Sequence, residues 1–490
     1  MKNNKVYIWS LVIVIGITLW GLLSPGTFEI AATGAFNVLV GKFGWLYLIS
    51  MFSFVLFCIW IGFSKYGNIK LGKDDDEPEF AYATWFAMLF SAGMGIGLVF
   101  WGVAEPLNHY VNPLNLTGGT QAAADFAIKK SFFHWGLHPW ANYSVLAMAL
   151  AYMQFRKDKP GLISSVFIPL IGEKGAKGPI GQAVDVMAVF ATAAGIATSL
   201  GLGTLQINSG LNYVFGLAEN QTVQTAIIGI ITVIVVYTAV SGVEKGIKWI
   251  CNANLVIAAG LVVVALFIGP TIEIINTFVN GLGLYLGDFL RDSLYVSSDS
   301  WFGSWTIFYW AWWIAWAPFV GTFIARISKG RTIKEFVLGV MLVPALGSFL
   351  WFSIFGTMGM HLGLDVATEA IKSTSTAFFV VIGHYPLGRI ISVIAVTLLC
   401  TFFITSANSA TFVLGMFSSD GDLDPSNGKK IVWGILQSVM ALALLLAGGL
   451  GMLQTASIAA AFPFIFIMIF AMVSLVKALK EETVIIKEDK

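Results

Sequence analysis

The sequence predicts an all-α membrane protein of about twelve transmembrane helices, and three observations carry that expectation. Of 490 residues, 57% are hydrophobic and 11% charged, with a mean hydropathy of +0.81; soluble domains hold about 25% charged residues. Apolar stretches long enough to cross a bilayer recur near residues 7–24, 43–63, 83–107, 127–155, 181–214, 222–241, 249–276, 303–327, 335–358, 386–418, 431–449 and 453–477. With the N-terminus inside, sixteen Lys and Arg, among them Lys65, Arg156, Lys174, Arg326 and Lys430, fall in inner loops. Only six, such as Lys42, Lys129 and Arg389, fall in outer ones. Basic loops stay cytoplasmic, so both termini are expected inside a multi-pass protein of the cell membrane.

The first stretch starts after Lys5 and has no small-residue cleavage site before Pro25, which reads as a retained span rather than a signal peptide. Residues 1–80 then form a leading unit of two helices and a loop. The acidic run Lys73-Asp74-Asp75-Asp76-Glu77-Pro78-Glu79 in that loop reads as solvated surface. From there the helices divide into two groups of five with opposite starting orientation, residues 81–280 and 303–478, the count of an inverted-topology repeat. A weakly amphipathic connector, 281–302, lies between them, and a short tail, 479–490, follows. Residues 279–300 and 362–385 are segments suited to the interface, as outer gates or as connectors. Cys58, Cys251 and Cys400 are odd in number and scattered in or beside spans, so they read as packing residues.

The first helix of each group is interrupted where such repeats place their binding site. One carries Gly93-Met94-Gly95-Ile96-Gly97, the other Pro318 and Gly321. The glycines either permit close helix packing or open the helix, and three within five residues favour opening. The fourth stretch contains His134-Trp135-Gly136-Leu137-His138-Pro139-Trp140-Ala141-Asn142-Tyr143. Trp140 and Tyr143 share a helix face, and a bend at Pro139 brings Trp135 round to it. The eighth packs five tryptophans into residues 305–321. With Trp313 the four rings form an aromatic box.

Such a box suits a quaternary ammonium, which donates no hydrogen bond and is held by ring quadrupoles. Three rings at about 2 kcal/mol each supply roughly 6 kcal/mol, whereas micromolar binding needs about 8. A zwitterion fits better than a bare cation, because its carboxylate can take backbone N–H groups of an opened stretch at Gly95 and Gly97. Segments 91–100, 131–144 and 301–320 contain no acidic residue to pair with the ligand's cation. In the tenth stretch, Phe402-Phe403-Ile404-Thr405-Ser406 offers adjacent hydroxyls of the uncharged kind that sodium accepts. His134 and His138 read either as proton carriers or as structural groups.

Gly93 to Gly97, His134-Trp135 to Pro139-Trp140, Trp305 to Arg331 and Ile404-Thr405-Ser406-Ala407 closely resemble the betaine/choline/carnitine transporters, over almost the whole chain. The resemblance implies a LeuT-type 5+5 inverted repeat preceded by two extra helices, a homotrimer, and alternating access to a central site. It implies an aromatic box of Trp135, Trp140, Tyr143 and Trp313, with Trp316 on the cytoplasmic path. It implies one sodium site at the Ser91, Met94 and Phe402 carbonyls and the Thr405 and Ser406 hydroxyls. For a second sodium site Thr192 and Phe319 match, but Ile196 stands where the family has a threonine, with Thr198 and Ser199 as the nearby hydroxyls. Asn254 stands near the arginine of the family's sodium-independent exchangers, so the chain resembles the ion-driven members. The short stretch after Lys477 does not resemble the long charged tails of osmosensing members.

The expectation is a symporter importing a trimethylammonium zwitterion, glycine betaine first, with sodium as coupling ion and no other cofactor. The alternative is a choline or carnitine carrier, sodium- or proton-coupled. Beyond solute, sodium and membrane lipid, a net charge of +1 gives no reason to expect nucleic acid. An enzyme would need intramembrane acids, bases or metal ligands, and a channel a charged ring or continuous polar lining; the spans look nearly empty of these.

Overall fold

The computed structural model describes residues 5–93, 95–241 and 244–488. Helices α1 (Lys5–Leu23) and α2 (Pro25–Phe63) are parted only by Ser24, and Pro25 takes a first-turn position where its missing N–H costs nothing. Then come α3 (Tyr82–Gly93), α4 (Ile96–Val111), α5 (Gln121–Trp135), α6 (Leu137–Ala151), α7 (Ile168–Lys177), α8 (Pro179–Phe215), α9 (Gln221–Ser241) and α10 (Glu244–Ile268). The second half holds α11 (Thr271–Ser293), α12 (Ser300–Phe302), α13 (Phe308–Ile327), α14 (Ile333–His361), α15 (Leu364–Ala370), α16 (Ala377–Ile382), α17 (Gly388–Phe417) and α18 (Asn427–Glu488). A π-helical turn over Gly303–Ile307 joins α12 to α13. Among the described residues the only β-pairing is one bridge, Lys70 to Thr332.

Nine of these helical segments are long and apolar enough to cross a bilayer, and α3 with α4, bent by 67°, makes a tenth broken span. Two further predicted spans appear in other forms. The stretch 127–155 is divided into α5 and α6, each too short to cross alone. The last two share α18, which turns at Gly448 and Gly449; Gly449 has φ +58, a left-handed conformation that a side chain would strain. The protein is an all-α membrane protein.

Two local expectations are corrected. The break between α5 and α6 falls at Gly136, while Pro139 sits in the first turn of α6, where proline is tolerated and bends nothing. The seventh span ends at Ile268 rather than 276, because Gly269-Pro270 stops it and residues 271–276 open α11. The acidic loop is also more than solvated surface. Asp74 pairs with Arg156 at 2.8 Å, Asp76 accepts from the Lys73 N–H at 2.8 Å, and Arg156 also pairs with Glu482 of α18.

Burial sorts the helices into an inner and an outer set. In the most apolar window 89% of α8 and 83% of the α12–α13 segment is buried, against 28% of α1 and 22% of α9. The inner set therefore builds the site, and α1 and α9 turn apolar faces outward, where lipid tails satisfy them as well as protein does. Inner helices pack as α8 on α18, α13 on α6, and α13 on α8.

Candidate functional site

The break between α3 and α4 sets the first wall. Gly95 is extended (φ −144°, ψ −163°) and caps α4, so the N–H groups of Ile96 and Gly97 have no intrahelical carbonyl to reach. A Cβ on Gly95 would meet no heavy atom within 4 Å. One on Gly97 would lie 2.6 Å from Cη2 of Trp312 and 3.3 Å from Cη2 of Trp135, so the rings press directly on the start of α4. Ser91 is half-buried near the end of α3, and Met94 lies outside the described residues.

The break at Gly136 sets the second wall by turning Trp135 toward α13. Trp135 and Trp313 meet edge to face with centroids 4.8 Å apart, Trp313 meets Tyr143 at 6.4 Å, and Tyr143 meets Trp140 at 5.5 Å. The four expected box residues thus form one continuous ring assembly, each at most 7% exposed. The indole N–H groups of Trp135 and Trp313 are fixed from outside it. Trp313 Nε1 donates to the His134 carbonyl at 2.9 Å, and Asn142 donates to the Trp313 carbonyl at 2.8 Å. Trp312 stacks on Trp313 at 4.8 Å. Trp316, half-buried, donates from Nε1 to the Gly195 carbonyl at 2.8 Å and meets Phe319 at 5.5 Å, joining α13 to α8.

The hydroxyl-bearing residues lie on α17 and α8. Thr405 Oγ1 donates to its own helix, at 3.0 Å from Thr401 O and 3.2 Å from Phe402 O, which leaves its lone pairs facing outward as acceptors. Phe402 is buried and Ser406 half-buried. On α8, Thr192 is fully buried and its hydroxyl has no hydrogen-bond partner among the described residues; Ile196, a turn on, is buried too. Thr198 has partners on two helices. Its hydroxyl is already within 3.0 Å of Ala194 O, Leu453 O and Ser457 Oγ, tying α8 to α18.

The structure also overturns the impression that the spans hold almost no acids. Glu105 of α4 is fully buried, with Oε2 accepting from Trp135 Nε1 at 2.8 Å and from the Tyr309 hydroxyl at 2.6 Å. It lies just beyond residues 91–100. A lone glutamate in an apolar stretch is itself a functional signal, and that signal was present in the sequence. Tyr309 gave none, being one aromatic among many.

A bundle of broken helices whose breaks are covered by a buried ring assembly defines a solute carrier of the membrane. The model of the betaine/carnitine/choline transporter family matches residues 5–484. The chain is 49% identical to the glycine betaine transporter OpuD of Bacillus subtilis, across 98% of this chain and 96% of that one. It is 45% identical to a probable glycine betaine transporter of Desulfitobacterium hafniense, across 98% of each. It is 41% identical to the ectoine/hydroxyectoine transporter of Virgibacillus pantothenticus, across 100% and 99%. This chain belongs to the betaine/carnitine/choline transporter family, and it is a transporter rather than an enzyme.

Proposed function

We propose that the protein imports a small trimethylammonium zwitterion, glycine betaine above others, with sodium, by alternating access, with both termini cytoplasmic. The observation that carries this reading is the ring assembly Trp135, Trp313, Tyr143 and Trp140 set against the N-terminus of α4 at Gly95 and Gly97. Rings hold the methylated nitrogen, and first-turn N–H groups with the positive end of the helix dipole hold the carboxylate. Names of the relatives favour the zwitterion: glycine betaine and ectoine both carry a carboxylate beside a cationic nitrogen, which choline lacks. Sodium coupling is supported by Thr405, whose hydroxyl offers an uncharged oxygen, and by the unpartnered Thr192 hydroxyl. Orientation is supported by the charge bias of the loops.

The test is binding of glycine betaine, choline and carnitine to the purified protein by tryptophan fluorescence, with and without sodium. Saturable, sodium-enhanced binding with glycine betaine tightest is expected. Choline binding more tightly than glycine betaine overturns the zwitterion assignment.

A further inference from the structure

Glu105 occupies a position that a carboxylate enters only when its surroundings are built for it. It follows a run from Ile96 to Ala104 without a single polar side chain except Trp101, and it is 0% exposed. Its polar neighbours are Trp135, Tyr309, His134 and His109, the last with Nε2 3.4 Å from Oε1. Trp135 Nε1 and the Tyr309 hydroxyl lie 2.8 and 2.6 Å from Oε2, and His134 Nδ1 lies 2.7 Å from Oε1. His134 Nε2 meets Thr306 Oγ1 at 3.0 Å, so the tautomer with its proton on Nδ1 satisfies both nitrogens: Nδ1–H donates to Glu105 and Nε2 accepts from Thr306. Two donors, Trp135 and Tyr309, converge on Oε2, and with its proton on Nδ1 His134 adds a third at Oε1, the arrangement that suits an ionised carboxylate.

Glu105, His109 and His134 bring their ligand atoms within 4.8 Å of one another, as a metal cradle would. Both oxygens of Glu105 and both nitrogens of His134 are engaged in hydrogen bonds, while His109, with Nε2 3.4 Å from Glu105 Oε1, has no hydrogen-bond partner for either ring nitrogen among the described residues. The nearest lysine on α5, Lys130, is taken by Asp292 of α11 at 3.0 Å. Among the described residues no lysine or arginine pairs with Glu105; its ion-pair neighbours are the imidazoles of His134 and His109, and Trp135 links it to the ring assembly. The Trp135 N–H edge is on Glu105, and its ring is against Trp313.

We propose that Glu105 is a positioning residue that supplies the buried negative charge for the transported cation through Trp135. It fixes the indole by its N–H edge, and the hydrogen bond to an anion pushes electron density onto the ring that meets the methylated nitrogen. This rests on the betaine reading and goes beyond it, since it assigns the countercharge to a residue that does not touch the solute.

The test compares glycine betaine with 3,3-dimethylbutanoate, its carbon isostere, which has the same shape and carboxylate but no positive nitrogen. In competition binding to the purified protein, Glu105→Gln is expected to weaken glycine betaine at least tenfold and to improve binding of the isostere. Glu105→Asp, which keeps the charge, is expected to recover part of the betaine affinity. Trp135→Phe keeps a ring and loses the N–H link; it serves as the second variant and is expected to shift the two ligands in the same opposed directions. A merely structural role would weaken both ligands by the same factor. That result, unchanged betaine affinity in Glu105→Gln, or no gain for the isostere overturns the proposal. Wild-type protein that binds no glycine betaine would instead overturn the function proposed above.

Discussion

Trp135 and Trp313 meet edge to face, 4.8 Å between centroids and 77° between planes, while their indole N–H groups are drawn off to Glu105 and to the His134 carbonyl. Anchoring the polar edges outside the assembly leaves ring surface as what the interior presents. In water-facing proteins a tryptophan uses its N–H for whatever is nearest. Here both N–H groups act as hinge pins that set ring orientation.

Removing a wall of this assembly should therefore cost affinity more than stability. Trp313→Ala and Trp140→Ala are expected to weaken glycine betaine binding by roughly 5- to 30-fold each, the equivalent of about 1–2 kcal/mol for one cation–π contact. Phenylalanine at either position should cost less, since a ring remains. Binding isotherms on the purified variants check this, and unchanged affinity in both alanine variants would remove the assembly from the solute path.

The two glycines of the α4 start should respond in opposite ways. A methyl group at Gly97 would come within 2.6 Å of Trp312 and 3.3 Å of Trp135, so Gly97→Ala must push the rings and is expected to lower solute affinity at least tenfold. Gly95→Ala meets no atom within 4 Å, and its extended backbone suits any residue, so its affinity should stay within about threefold of wild type. Equal effects at both positions would show that ring displacement is not what limits Gly97.

Composition and the glycine and tryptophan runs made the helical membrane fold and the box residues legible, because spans and aromatic clusters are local signals. Bends were not. Pro139 looked like the kink between Trp135 and Trp140, but the chain breaks at Gly136, since proline in a first turn fits a helix. Contacts across sequence distance were equally hidden. Nothing in Asp74 or Glu482 announces a shared partner in Arg156, and Glu105 becomes a hub only once α4, α5 and α13 converge. The commitment of Thr198 to Leu453 and Ser457 depended on α18 folding against α8.

Arg156 ties its own segment after α6 to two others: it reaches Asp74 and the Gly72 carbonyl before α3, and Glu482 on α18. Its side chain and that of Glu482 are 9% and 7% exposed, and without Arg156 the Glu482 carboxylate keeps Lys157 and the Tyr152 hydroxyl. Arg156→Ala, which removes hydrogen bonds to two carboxylates and a carbonyl, is expected to destabilise the protein by about 2 kcal/mol, while Arg156→Lys recovers part of that. Thermal unfolding in detergent measures it; an unchanged melting temperature would mean that Lys157, also on Glu482 at 2.9 Å, carries the clamp.

Under the proposed sodium coupling, ion stoichiometry would rest on hydroxyls of α8 and α17. A 100 mV potential contributes about 2.3 kcal/mol per charge and a tenfold sodium gradient about 1.4, so one sodium supports roughly 500-fold accumulation of a neutral zwitterion and two roughly 10⁵-fold. Thr405 supplies an oxygen on α17, and Thr405→Ala is expected to abolish sodium-dependent uptake while Thr405→Ser retains it. At the second position the Thr192 hydroxyl is buried and unpartnered among the described residues, Ile196 brings no oxygen, and the Thr198 hydroxyl bonds Leu453 and Ser457 of α18. Wild type should therefore show a Hill coefficient for sodium near one, and Ile196→Thr, which adds a hydroxyl one turn from Thr192, should raise it toward two. Uptake in proteoliposomes against sodium concentration measures both. Wild-type cooperativity already near two would show that Ile196 does not impair the second site, and uptake without sodium would overturn the coupling itself.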